Sequence, residues 1–466
     1  MKMKSNFKAD LSDFINMSIR TSALLAVMIL SVNFAVGQDL GIKAPAQTGP
    51  IALVGGSIHT ISDDVISDGY IVFDNGIITE IGNGQPAGSS EYEKVDITGL
   101  HVYPGIIHPY TQLGMKEISS LSDPTDVDEY GSETPEVRAT VAVNPDSTVI
   151  PVSRSNGILL AGVFPTGGLM PGRAGMIRLD GWTTEDMTVL KSAGLVISWP
   201  RMRPVTASWM KESPEQQRKN SRKEIQQLKD YFDKAQAYYR AVDSGENISS
   251  DIRYESIRGI FPGESEAKPE QQVFVMAQDF DQIVSAIQVS RRYGWRLVVV
   301  GGEEAHLCMP LLKDNNVGVI LLNTHRLPGR TDSDYDEAWK LPSILQEGGV
   351  RWCLGNREMF GNERNIAFHA GATVGHGLTR AQAMRSITLS VAEVFGIEKK
   401  YGSIEEGKSA TLIVTTGSPL EILSDVRIAY IDGRQIDLRN KQTQLRDKYE
   451  TKYRQQGDYP LKSVKP

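Results

Sequence analysis

His108-Pro109-Tyr110-Thr111-Gln112 is the stretch where this chain gathers groups that could do chemistry. Alternate side chains of a strand share a face, so His108, Tyr110 and Gln112 point to one side of the strand that Ile106-Ile107 begins. Two histidines at that spacing would grip one zinc ion, whereas tyrosine and glutamine are poor zinc ligands beside histidine and aspartate. Other polar groups fall at the ends of later apolar runs: Asn323, His325, Arg326, Asn356, Arg357 and Glu358, with Met276 at the end of another. A guanidinium stays protonated and repels a cation. Gly167-Gly168 and Gly172-Arg173-Ala174-Gly175 read as flexible loops whose backbone N–H groups suit an anion. With Arg326 and Arg357 near them, such loops suit a carboxylate or phosphate. The alternative is that Arg357 pairs with Glu358 and only plugs the site.

No other constellation competes. His59 and His101 fall among short strands and read as structural. His306 lies three residues after Glu303, a spacing that suits a surface pair on one helix face. His369 and His376 fall in a Gly-rich loop. No carboxylate and imidazole set has metal-ligand spacing, so no metal ligand is assigned. No nucleophile elbow or Ser-His-Asp order occurs. Cys308 and Cys353 stand outside any Cys-x-x-Cys pattern and read as buried thiols on core strands.

Positioning these groups needs a scaffold, and 466 residues suffice for a large barrel with a smaller companion. Apolar runs at 157–163, 273–275, 296–300, 317–322 and 349–354 alternate with helical patterns, the arrangement of parallel βα units. The spacing predicts an α/β fold, a (β/α)8 TIM barrel over 104–402 whose active face lies at the C-terminal strand ends. Residues 38–103 and 403–436 read as short strands with tight turns, Asp74-Asn75-Gly76 being a strong hairpin signal. Neither segment has enough apolar surface to stand alone, so together they are expected to form a small composite β-sandwich from both ends of the chain. Ser213-Pro214 opens a long amphipathic helix with Ile225, Leu228, Phe232, Ala235, Tyr239 and Val242 on its buried stripe. The tail over 437–466 is charged and reads as a surface helix.

The formal charge is −7 and no Lys/Arg-rich run occurs, which argues against nucleic acid as a partner. Lys2, Lys4, Lys8 and Arg20 precede the apolar run 23–30, with Ala35 and Gly37 after it. That order predicts a signal peptide over 1–37 and an exported, periplasmic chain, with Met17 as an alternative start. Nothing later approaches the length of a membrane span.

Pro104-Gly105-Ile106-Ile107-His108-x-Tyr110-x-Gln112 resembles the first metal motif of the amidohydrolase superfamily, Pro-Gly-apolar-apolar-Asp-x-His-x-His. Gly377 to Leu389, continuing through Val394-Phe395-Gly396-Ile397 to Gly402-Ser403-Ile404-Glu405-Glu406-Gly407-Lys408, resembles the last barrel helix and return strand of imidazolonepropionases and dipeptidases. Arg154-Ser155-Asn156-Gly157-Ile158 and Pro165-Thr166-Gly167-Gly168 resemble an exported subgroup in which metal ligands are often absent. The resemblance implies hydrolysis of carbon–nitrogen bonds other than peptide bonds, with zinc or another divalent metal. It also places the five usual ligand positions at Tyr110, Gln112, Met276, Val300 or Gly301, and Arg357, so all five ligands are expected to be lost. The alternative is a non-catalytic module that binds a small molecule or peptide-like ligand, or that partners an intact amidohydrolase paralogue.

Overall fold

A computed structural model describes residues 41–88, 92–118, 125–262, 269–357 and 361–457. The expected signal segment 1–37, Glu358 and residues 458–466 lie outside the described residues.

The chain begins with five short strands, β1 (Ile51–Ile58), β2 (Ile66–Asp74), β3 (Ile77–Asn83), β4 (Glu93–Asp96) and β5 (His101–Pro104). Asn75 and Gly76 turn β2 into β3 with positive φ at both positions, 48° and 80°, the geometry that matches the twist of a two-residue hairpin. Gly105 alone then separates this sheet from the next. Its N–H donates to Thr411 O, while its neighbour Ile106 pairs with Ile158. A Cβ on Gly105 would lie 2.6 Å from Leu159 Cδ1, so the crossing point admits only glycine.

Eight strands follow in sheet order: β6 (Ile106–Thr111), β7 (Ile158–Val163), β8 (Gly172–Arg178), β9 (Thr188–Ser198), β10 (Gln272–Ala277), β11 (Arg296–Gly301), β12 (Gly318–Leu321) and β13 (Arg351–Leu354). The eight strands form a nearly closed, barrel-like α/β sheet compatible with the expected (β/α)8 barrel, but β8 runs antiparallel to both β7 and β9. The cause is the connection length. A parallel crossover needs a dozen or more residues, and the links 164–171 and 179–187 are shorter than that. The expected loop Gly172-Arg173-Ala174-Gly175 is therefore the start of β8. Its glycines serve close packing: a Cβ on Gly172 would lie 2.9 Å from Val137 O, and one on Gly175 2.3 Å from Thr140 Cγ2.

The long helix is α1 (Pro214–Asp243). Ser213 caps it by accepting from Gln216 N–H, and Leu228, Phe232, Ala235 and Tyr239 are buried along its stripe. Between β13 and the return strands lie α2 (Ile366–Val374) and α3 (Leu389–Phe395). The end of α3 enters the barrel core: Gln272 donates to Val394 O, and the Phe395 ring lies 5.4 Å from Phe274 and 6.4 Å from Phe164. Cys353 is buried on β13. Cys308 is buried too, but at the end of a 3-10 turn (Ala305–Cys308) and not on a strand, because the chain bends there into the helix that Pro310 opens.

Three further strands, β14 (Leu412–Thr415), β15 (Val426–Ile431) and β16 (Arg434–Gln435), complete the first sheet. Its order is β16-β15-β14-β5-β1-β2-β3 with β4 also on β1, so both ends of the chain share one hydrogen-bonded sheet. Leu53, Ile71 and Phe73 from the first half pack with Leu412, Val414 and Tyr430 from the second. A buried ion cluster joins this sheet to the barrel. Asp180 meets Arg154 at 3.0 Å and Arg434 at 3.2 Å, and it accepts from Ala44 N–H. The tail forms α4 (Lys441–Gln456), which has no buried residue.

Candidate functional site

The C-terminal ends of β6, β12 and β13 bring most of the candidate residues together. His108 is fully buried on β6. Its Nε2 lies 2.9 Å from Asn356 Oδ1, and its Nδ1 accepts the backbone N–H of Tyr110 at 3.3 Å. With Nδ1 used as an acceptor, Nε2 carries the ring proton and donates it to Asn356. Burial depresses the imidazole to about 4, partly offset by the Asn356 bond and reinforced by nearby His369. His108 is therefore a neutral, doubly engaged ring with no lone pair left over.

Asn356 follows β13 and is completely buried. Its Oδ1 is committed to His108, and its Nδ2 has no hydrogen-bond partner. Arg357, the next residue, is exposed and makes no hydrogen bond or ion pair among the described residues. Tyr110 is buried with its ring 5.0 Å from Phe164. Burial pushes its phenol up, and the Arg357 charge pulls it back. Gln112 Nε2 donates to Thr166 Oγ1 at 3.3 Å, so Gln112 spans from β6 to the loop after β7. Met276, at the end of β10, is partly buried.

The β12 end is organised differently. Asn323 has φ 61°, and its Nδ2 reaches Glu303 Oε1 at 3.4 Å. Arg326, expected to serve an anion, is held by Glu337 at 2.9 Å and Glu303 at 3.8 Å, so its charge is already matched. His325 is exposed, with Nδ1 2.8 Å from His369 Nδ1. His369 is not in a loop: it is buried on α2, with Thr324 Oγ1 3.1 Å from its Nδ1. The segment 366–374 is apolar enough to pack as a helix despite Gly371, whose Cα faces Leu420 O. His376 stacks on Trp339 at 5.4 Å. His59 and His101 contact each other at 3.0 Å in the composite sheet.

Sequence reasoning missed Thr166, Thr324 and the pairing of His369 with His325. Thr166 stood in the Pro165-Thr166-Gly167-Gly168 motif, and nothing in the sequence aligned it with Gln112. Among the described residues no three His, Cys, Asp or Glu side chains form a group that could hold a metal ion. A separate cavity of about 310 Å³ lies among Met115, Asp126, Glu136 and Arg138, and none of the candidate residues lines it.

No protein-family profile matches the chain, and no curated protein matches it. Solved structures do. An amidohydrolase from Thermotoga maritima MSB8 superposes with a TM-score of 0.71 at 21% identity, over 84% of this chain and 100% of that one. A Xaa-Pro dipeptidase with methionine bound in its active site gives 0.50 at 18% identity, over 83% and 100%. Molinate hydrolase gives 0.50 at 12% identity, over 85% and 96%. The chain thus has the fold of the amidohydrolases.

Proposed function

We propose that the chain is an amidohydrolase-superfamily protein that has given up metal-dependent hydrolysis and uses the strand-end site to bind a small or peptide-like ligand. The observation that carries this is the His108–Asn356 bond, which with the Tyr110 N–H consumes both ring nitrogens of the histidine best placed to ligate. The other positions where the family places ligands hold Tyr110, Gln112, Met276 and Arg357, and a guanidinium there opposes a cation. The residues present do not fit a zinc centre, and no step is assigned to one. An intact paralogue is the partner such a protein would serve, and the basic, apolar and small-residue order of 1–37 supports export to the periplasm.

The similarity to amidohydrolase, dipeptidase and molinate hydrolase structures keeps a second reading in view, hydrolysis of non-peptide carbon–nitrogen bonds or of small peptides. One experiment separates the two. Protein purified without chelators is measured for its metal-to-protein ratio, then screened with amides, cyclic imides and dipeptides with added zinc or manganese. Substoichiometric metal and no turnover is the expected result. Stoichiometric metal with metal-dependent turnover overturns the proposal.

A further inference from the structure

Resting on that reading, we propose that the ligand presents a carboxylate, held between the Arg357 guanidinium and the side-chain amide of Asn356.

The amide orientation of Asn356 is fixed by its surroundings. Tyr110 N–H occupies His108 Nδ1, so His108 Nε2 must donate, and only the carbonyl oxygen of Asn356 can receive it. Turning the amide over would set two donors against each other. Nδ2 therefore faces away from His108, fully buried and without an acceptor. Native proteins leave few buried donors unsatisfied, and one at the mouth of a barrel marks a place for an acceptor brought from outside.

Arg357 supplies the charge. It directly follows Asn356 beyond the end of β13, so its long stem can bring the guanidinium to a group held at the amide. Tyr110, two residues after His108, feels that charge. The competing cation, Arg326, is neutralised by Glu303 and Glu337, whereas Arg357 has no counter-ion among the described residues. A forked guanidinium and an amide N–H match the two in-plane oxygens of a carboxylate. The buried Tyr110 ring suits an uncharged, apolar remainder.

The test is calorimetric titration of the full-length protein with N-acetyl-leucine, its neutral amide and inorganic phosphate. The acid is expected to bind at least about tenfold more tightly than the amide and than phosphate, the scale of one charge-assisted contact. Arg357→Gln removes the charge from an exposed position with no ion-pair partner among the described residues, and is expected to erase that preference while leaving the melting temperature unchanged. Asn356→Asp keeps the acceptor for His108, replaces the donor with a like charge, and is expected to abolish binding of the acid. Equal affinity for acid and amide, tighter binding of phosphate, no saturable binding of the acid, or an unchanged preference in Arg357→Gln overturns the inference. Metal analysis of the same samples keeps the two claims apart. Metal-dependent turnover defeats the binding-protein reading. Failure of the carboxylate preference in metal-free, inactive protein defeats only this inference.

Discussion

The side chains of His108 and Asn356 meet at 2.9 Å between β6 and the end of β13, the two edge strands of the barrel sheet. One buried hydrogen bond thus helps close an eight-stranded sheet whose edge strands are not ladder-paired. Asn356→Leu leaves His108 Nε2–H without an acceptor and is expected to cost about 2–3 kcal/mol in urea unfolding. The double substitution His108→Phe/Asn356→Leu is expected to cost less than the sum of the singles, because the ring N–H of His108 and its acceptor are removed together.

Acid should destabilise the protein through its histidines. Burial holds His108 at about 4, and burial together with the His101 charge holds His59 at about 4. Both groups take up a proton more readily when unfolded, where the ordinary value is about 6.5, so the unfolded state binds more protons in this window. Stability is then lost as pH falls from about 6.5 towards 4, on the order of 3 kcal/mol for His108. Chemical denaturation at a series of pH values checks this. His108→Gln should make the slope shallower, and an unchanged slope would show that His108 does not titrate as argued.

The cluster around Asp180 should hold the N-terminal segment on the barrel. The side chains of Asp180 and Arg154 are 2% and 4% exposed, so removing the acid breaks a buried ion pair. Asp180→Ala is expected to cost about 3–5 kcal/mol. It should also speed proteolysis around Ala44, whose N–H and C=O bond Asp180 and Arg434 respectively. Limited proteolysis with mass spectrometry reads this directly. Cleavage at the wild-type rate would separate the cluster from segment docking.

Gly162 lies where β6 and β7 press together. A Cβ there would sit 2.4 Å from Pro109 O and 3.1 Å from Phe395 Cζ. Gly162→Ala is expected to cost about 1–3 kcal/mol, the usual penalty for overpacking. Because Pro109 lies between His108 and Tyr110, the same variant should shift the His108 imidazole resonances in NMR spectra. Wild-type stability and unmoved resonances would refute the assigned close approach.

Much of the scaffold could be read from sequence because its signals are local. Runs such as Arg296-Leu297-Val298-Val299-Val300 have few conformational choices, and they form β11 where expected. The hairpin at Asn75-Gly76 follows from residues that tolerate positive φ. The reversed strand β8 was hidden because its glycines look like loop residues until their neighbours are known. Gly172 and Gly175 are set by Val137 and Thr140, more than thirty residues upstream. At the site, the resemblance of residues 104–112 to the first amidohydrolase motif pointed to Tyr110 and Gln112, and their neighbour His108 reaches Asn356 in the fold. The commitment of Arg326 to Glu337 and the contact between His325 and His369 were not foreseen, since each joins elements that only the folded barrel brings together.

The shared sheet also sets a timetable for synthesis. The β5 edge at His101–Pro104 waits for its partner Leu412–Thr415, which emerges roughly 15–60 s later at ordinary elongation rates. Until then the apolar faces of Leu53, Ile71 and Phe73 lack their covering residues. The strands that precede the barrel are completed only after the barrel strands have been made. Truncation anywhere before β14 would leave that edge and its apolar face uncovered.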